Sequence, residues 1–136
     1  MFRKLMQCSV FALLGVVGVL ATYGWAISAN KAASISDVMK ASFGKGGFKA
    51  KITEASKNKN YDEVAKLGRD WVACVENLLK NKPPRGDEKE FHARAEKFLN
   101  LTREIVAAAE KGDGKAIAAS LKGIGGLCGD CHKNHK

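Results

Sequence analysis

Proline is almost absent from this chain. Its 136 residues contain two prolines, which stand side by side at positions 83 and 84. Because proline lacks a backbone N–H and restricts the residue before it, the segment 82–86 cannot continue a helix. The long stretches without proline on either side favour helices over many short strands. Since the length suits one domain, we predict a single all-α domain after the N-terminal segment.

Capping signals predict where four helices begin. Ser34 and Asp37 form a capping-box pattern that opens the first helix, and glycines over 44–47 predict a break before it resumes over 48–57. Further helices are predicted over 60–79, over 87–111 and from Asp113 onward. Their apolar stripes at helical spacing are Val64, Leu67, Trp71, Cys74 and Leu78, then Phe91, Ala95, Phe98, Thr102, Ile105 and Ala109, then Ile117, Leu121, Ile124, Cys128 and Cys131. Short connections favour antiparallel neighbours, so we predict an up-down four-helix bundle.

Residues 1–29 have the pattern of an export signal. Arg3 and Lys4 make the start basic, an apolar run follows over 5–27, and the small residues Ser28 and Ala29 suit cleavage. The run is also long enough to cross a bilayer, which takes about 20 residues, so an uncleaved membrane anchor is the alternative. Either way we expect residues 30–136, the bundle domain, to be exported to the periplasm.

Reactive side chains concentrate near the C-terminal end of the sequence. Cys128-Gly-Asp-Cys131-His132 is the C-x-x-C-H pattern of covalent c-type haem attachment. Cysteines three apart on a helix lie on one face, where two thiols can reach the two vinyl groups on one edge of a porphyrin. His132 follows at once and is the predicted proximal ligand of the iron. We therefore expect one covalently bound haem c inside the bundle.

Other chemistry for the same residues has less support. A thioredoxin-like redox pair needs a strand before the motif and a long helix that starts at it. A disulfide between Cys128 and Cys131 would close a strained small loop. A zinc site that adds His132 and His135 to these thiols stays an alternative, although the adjacent Cys131 and His132 make tetrahedral closure awkward.

In these features the chain resembles the class II c-type cytochromes, the cytochrome c' and cytochrome c556 family. The resemblance covers nearly all of residues 33–136 and rests on the C-terminal placement of the motif, on Met39 early in the first helix and on Lys136 four residues beyond His132. It implies a four-helix bundle with Lys136 beside the haem. The family usually has arginine where Lys136 stands and often an aromatic residue where His135 stands.

The sixth ligand of the iron separates two functions. The resemblance places the first helix on the haem side opposite the proximal histidine, where Met39 is the only methionine after the leader. A thioether ligand raises the potential and suits a one-electron carrier that cycles between Fe(III) and Fe(II) and is not an enzyme. If Met39 only fills core space, the alternative is a five-coordinate haem that binds small gases such as NO or CO. His92, next to the core residue Phe91, is expected to face water.

The formal net charge of +9 suggests an acidic partner. Because no nucleic-acid recognition motif accompanies the charge, we exclude nucleic acid and expect redox partner proteins with acidic surfaces. Lysines over 40–59 form either a solvated face or the surface that steers such partners. Cys74 is expected to be a buried free thiol, with an intermolecular disulfide as the alternative. The resemblance further implies that two copies can pair as a homodimer.

Overall fold

The computed structural model describes residues 32–136, which fold as a four-helix bundle, as predicted. Its α-helices are α1 (Ile35–Phe43), α2 (Phe48–Lys57), α3 (Tyr61–Val75), α4 (Glu88–Glu110) and α5 (Gly114–His135), and a 3-10 helix covers Glu76–Lys80. Consecutive α1 and α2 together provide the first of the four helical segments. The predicted export signal over 1–29 lies outside the described residues. No helix within 32–136 combines the length and the apolar character that crossing a membrane requires.

Short-range hydrogen bonds fix the helix starts at the predicted caps. The Ser34 hydroxyl accepts from the Asp37 backbone N–H at 3.2 Å, and the Asp37 carboxylate accepts from the Ser34 backbone N–H at 3.3 Å. Side-chain oxygens of Asn60, Asp87 and Asp113 cap α3, α4 and α5 in the same way. Each cap satisfies a backbone N–H that has no partner inside its helix.

The glycine break in the first helix is confirmed. α1 ends at Phe43 and α2 begins at Phe48, and between them Gly46 has a φ of 71°, in the region that favours glycine.

The second predicted helix differs from expectation at its end. Its α-helical part stops at Val75, and residues Glu76–Lys80 tighten into a 3-10 helix before the Pro83-Pro84 loop. Such tightening of a last turn is common at helix termini.

The core lies where α4 packs against both α3 and α5. Every residue of the apolar stripe predicted for α4 is buried: Phe91, Ala95, Phe98, Thr102, Ile105 and Ala109. Trp71 is fully buried in α3, and its indole N–H donates to the Ser42 hydroxyl of α1 at 2.8 Å. This bond satisfies a polar group inside the core and ties α1 to α3.

Candidate functional site

A cavity of about 480 Å³ opens between α1, α4 and α5. This volume falls in the range of roughly 300–1,000 Å³ that is typical of small-molecule and cofactor sites. Its walls are mostly apolar, and the apolar residues that line it are Ile35, Met39, Phe43, Leu78, Pro84, Phe91, Ala95, Phe98, Ile124 and Leu127. The cavity therefore offers an apolar group a mostly apolar surface against which it can pack.

The C-x-x-C-H motif lies on the α5 wall of this cavity. Cys128, Cys131 and His132 all line it. Both cysteines are half-buried, and the Cys128 thiol donates to the backbone carbonyl of Ile124 at 3.5 Å. Burial raises the pKa of the Cys131 thiol; the Arg94 charge lowers that pKa in part, and Cys128 raises it further. Two thiols and one imidazole thus face one largely apolar space.

Met39 borders the same cavity from α1. It is half-buried, and Ile35 and Phe43, one turn before and after it, line the cavity too. The structure thus brings Met39 to the space that holds Cys128, Cys131 and His132, although more than 80 residues separate them in sequence. Lys136, the last of the predicted site residues, also lines the cavity.

Aromatic rings form part of the cavity wall and pack behind it. Phe43 and Phe98 line the cavity and stack with ring centroids 5.8 Å apart. Trp71 stands behind them, edge-on to Phe98 at 5.7 Å and to Phe43 at 6.2 Å. Trp71 and Phe98 are core residues, as predicted, and Phe98 is also part of the cavity wall.

Arg94 is a charged residue of the cavity wall, and the sequence pattern did not predict it as a site residue. Arg94 of α4 lines the cavity, and its Nη1 donates to His135 Nε2 at 2.7 Å and to the Glu90 carboxylate at 3.2 Å. The helical spacing could have indicated this position, because residue 94 lies three residues after Phe91 and four before Phe98 and is thus next to the buried stripe of α4. His135 is 4% exposed and also lines the cavity, a burial that sequence reasoning missed.

Two other residues lie apart from the cavity lining. His92 is half-buried rather than facing water, because its Nε2 donates to the Asn81 backbone carbonyl at 2.9 Å. Cys74 is half-buried against the core and forms no disulfide within residues 32–136, and burial raises the pKa of its thiol. Neither residue is among those that line the cavity.

The donor set fits a covalent haem better than a zinc ion. Within residues 32–136, no three His, Cys, Asp or Glu side chains are grouped so that they could hold a metal ion by themselves. His135, the fourth ligand that zinc would need, already uses both ring nitrogens in contacts with Arg94 and Arg85. A haem needs instead two thiols on one helix face, one imidazole beside them and apolar walls, and the cavity offers all three.

Comparison with known proteins supports the resemblance seen in the sequence. The family model described as Cytochrome C' matches residues 86–136, which include all of α4 and α5. A cytochrome c' from Rhodospirillum rubrum is 40% identical over 50 residues, a match that covers 37% of this chain and 34% of that protein. The matched segment thus spans about a third of the relative's length, and no solved structure matches the chain. The predicted similarity to the cytochrome c' family is confirmed, and this family implies covalently bound haem c with its iron.

Proposed function

We propose that this cytochrome c'-like chain is an exported monohaem cytochrome that carries one electron. Cys128 and Cys131 would hold the haem through thioether bonds, and His132 and Met39 would be the ligands of its iron. The observation that carries the proposal is the shared cavity, because Met39 of α1 reaches the same space as the three motif residues of α5. When bound, the haem supplies an iron that changes its oxidation state by one electron.

The protein's own residues supply the surroundings that a carrier needs. Phe43, Phe91 and Phe98 line the cavity with apolar rings. A dry, apolar shell lowers the local dielectric constant and is one of the ways in which proteins set a redox potential. The caps of α1 and α5 and the Trp71 hydrogen bond to Ser42 hold these walls in a fixed arrangement.

Met39 decides how this cavity functions. A methionine thioether is a soft ligand that favours the reduced iron, and paired with histidine it is typical of electron carriers. Met39 is half-buried and borders the cavity, so its sulfur can lie toward a bound group without exposing the rest of the side chain to water. We propose the thioether as the sixth ligand on this basis.

Binding of a small gas is the second candidate function. Ile35 and Phe43 flank Met39 on the same apolar wall. If Met39 did not ligate the iron, this wall would leave an apolar distal pocket, which suits small neutral molecules such as NO and CO. The similarity to cytochrome c' is compatible with this function and with electron transfer alike.

The surface supports an acidic redox partner. Six lysines lie over residues 40–59 against one acidic residue, Glu54, and the lysines of α2 are exposed. Lys49 lies 6.0 Å from the centre of the Phe43 ring, which links this basic surface to the cavity wall. Such a surface would steer acidic proteins toward the site.

The proposal has four further parts. They are a periplasmic location, a homodimer, a membrane anchor at residues 1–29 and the absence of enzymatic activity.

The test compares the holoprotein with three variants. Met39→Ala removes the thioether, Met39→Leu removes it while keeping most of the volume, and Ile35→Ala opens the same wall without touching the sulfur. We expect the first two to lose the weak sulfur-to-iron charge-transfer band of the ferric protein and to lower the potential, while Ile35→Ala keeps the band. Covalent haem should remain in all three, because the thioether cysteines are unchanged.

The opposite result would favour gas binding. A parent protein whose ferrous form is high-spin and takes up carbon monoxide rapidly at neutral pH would refute the carrier function. Spectra and potentials of Met39→Leu that match those of the parent would show that Met39 only fills space.

A further inference from the structure

We propose that His135 is a positioning residue that holds the last turn of α5, and with it His132, against α4 and the loop before α4. The inference rests on the proposed function, since it assumes that His132 ligates the haem iron. His135 itself touches no iron in this assignment. It acts through the helix that carries both histidines.

The side chain of His135 is fixed on all sides. It is 4% exposed, and its ring packs edge-on against Phe91 with centroids 5.6 Å apart. Its Nε2 lies 2.7 Å from Arg94 Nη1, and its Nδ1 lies 3.3 Å from the backbone oxygen of Arg85. Contacts from α4 and from the preceding loop thus meet at one side chain near the end of α5.

The partners determine the tautomer of the ring. A guanidinium has donors and no acceptor, so His135 Nε2 must accept the bond from Arg94. The ring is then neutral and carries its proton on Nδ1, which donates to the Arg85 carbonyl. Arg94 is held in turn by Glu90 at 3.2 Å, one helical turn earlier on α4. Both ring nitrogens are therefore satisfied only in this one orientation.

The loop is shaped to receive this ring. Gly86 has a φ of 84°, and a Cβ at this position would lie 2.6 Å from His135 Nδ1 and 2.6 Å from the Asn134 backbone oxygen. No other residue type fits so close to the α5 terminus without moving it. The Pro83-Pro84 segment limits the freedom of the chain just before Gly86. Loop and ring are thus complementary in shape as well as in hydrogen bonding.

His135 can transmit this restraint to His132 because three residues separate them on one helix. Residues at this spacing are neighbours on the helix surface. The four carbonyls at the end of α5 have no partners within the helix, so side-chain contacts from outside the helix add to the order of its last turn. His132, Arg94 and His135 also line the same cavity. Fixing His135 therefore fixes the position of the helical turn that would present His132 to a bound haem.

The experiment uses the holoprotein and separates hydrogen bonding from packing. His135→Phe keeps an aromatic ring against Phe91 and removes both hydrogen bonds, whereas His135→Gln keeps an acceptor and a donor without the ring. His92→Phe is the matched control, since His92 is half-buried and donates to a carbonyl but lies outside the cavity lining. Amide hydrogen exchange of residues 131–135 and the ferric spectrum are measured for each.

In His135→Phe we expect exchange in this segment to accelerate by about tenfold, the effect of losing one or two net hydrogen bonds, and the ferric spectrum and potential to shift. His135→Gln should lie closer to the parent in both readouts, and His92→Phe should match the parent. The proposal is overturned if His135→Phe changes neither readout more than His92→Phe does, or if exchange accelerates while the spectrum stays unchanged. If His135→Phe does not fold, the same criteria apply to Arg94→Lys. A parent without covalent haem would instead refute the proposed function.

Discussion

The hydrogen bond between Trp71 and Ser42 should contribute measurably to stability. Both residues are 0% exposed, and the indole N–H donates to the serine hydroxyl at 2.8 Å. Replacing Ser42 by alanine leaves the N–H in the core without this acceptor. An unsatisfied buried donor costs about 1–3 kcal/mol, so we expect Ser42→Ala to lower the free energy of unfolding by this amount.

A second substitution separates the hydrogen bond from packing. Trp71→Phe removes the donor and part of the ring, and it should destabilise the protein by itself through the cavity that it leaves. In the Trp71→Phe background, Ser42→Ala no longer leaves a buried N–H without an acceptor. The loss in free energy of unfolding caused by Ser42→Ala should therefore be smaller. We expect a coupling free energy of about 0.5–3 kcal/mol between the two substitutions, the range measured for residues in direct contact.

The assay is urea unfolding of the holoprotein, followed by far-ultraviolet circular dichroism. The slope of the free energy of unfolding against urea concentration should stay constant, while the urea concentration at the unfolding midpoint falls. Ser56→Ala is the control, because Ser56 is a half-buried helical serine for which no side-chain hydrogen bond is found within residues 32–136. Exposed or weakly bonded positions usually change stability by less than about 0.5 kcal/mol. A Ser42→Ala value no larger than that of Ser56→Ala, or no coupling with Trp71→Phe, would refute the reasoning.

Three further predictions concern single contacts. Gly68→Ala places a Cβ 2.8 Å from Val106 Cγ2, at the contact between α3 and α4. It should lower the free energy of unfolding by about 1–3 kcal/mol in urea unfolding, and the double variant with Val106→Ala should recover part of this loss. An unchanged unfolding midpoint in Gly68→Ala would contradict this. Burial raises the pKa of the Cys74 thiol above its ordinary value, so iodoacetamide should modify it at pH 7 more slowly than it modifies a cysteine peptide, and equal rates would show an accessible thiol. The hydrogen bonds from the Ser34 hydroxyl and backbone lower the pKa of Asp37 below its ordinary value. The stability they provide is therefore present above the unfolded-state pKa and lost as the pH falls through the folded-state pKa. An NMR titration should show the pKa of Asp37 rising in Ser34→Ala, and an unchanged pKa would contradict this.

The predictions of helix boundaries succeeded because capping is a short-range interaction. Asp87 accepts from the Glu90 N–H, and Asp113 accepts from the Ala116 N–H, each across three residues. A polar residue before an apolar stripe contains all the information that such a bond needs. The C-x-x-C-H motif is equally local, so the sequence alone predicts the attachment chemistry and the resemblance to the cytochrome c' family. The 3-10 helix at Glu76–Lys80 was missed because no residue pattern distinguishes it from a last α-helical turn.

Contacts between helices were decided only by the tertiary structure. Arg94 and His135 are 41 residues apart, and Trp71 and Ser42 are 29 apart. The pattern of apolar residues predicts which face of each helix is buried, but it leaves open which polar side chains at the edge of that face will meet. That depends on how each helix rotates and slides to pack its core. The sequence therefore determined the helices and the haem-attachment motif, whereas packing decided that Met39 borders the same cavity and that Arg94 holds His135, because such long-range pairs form only once the core is closed.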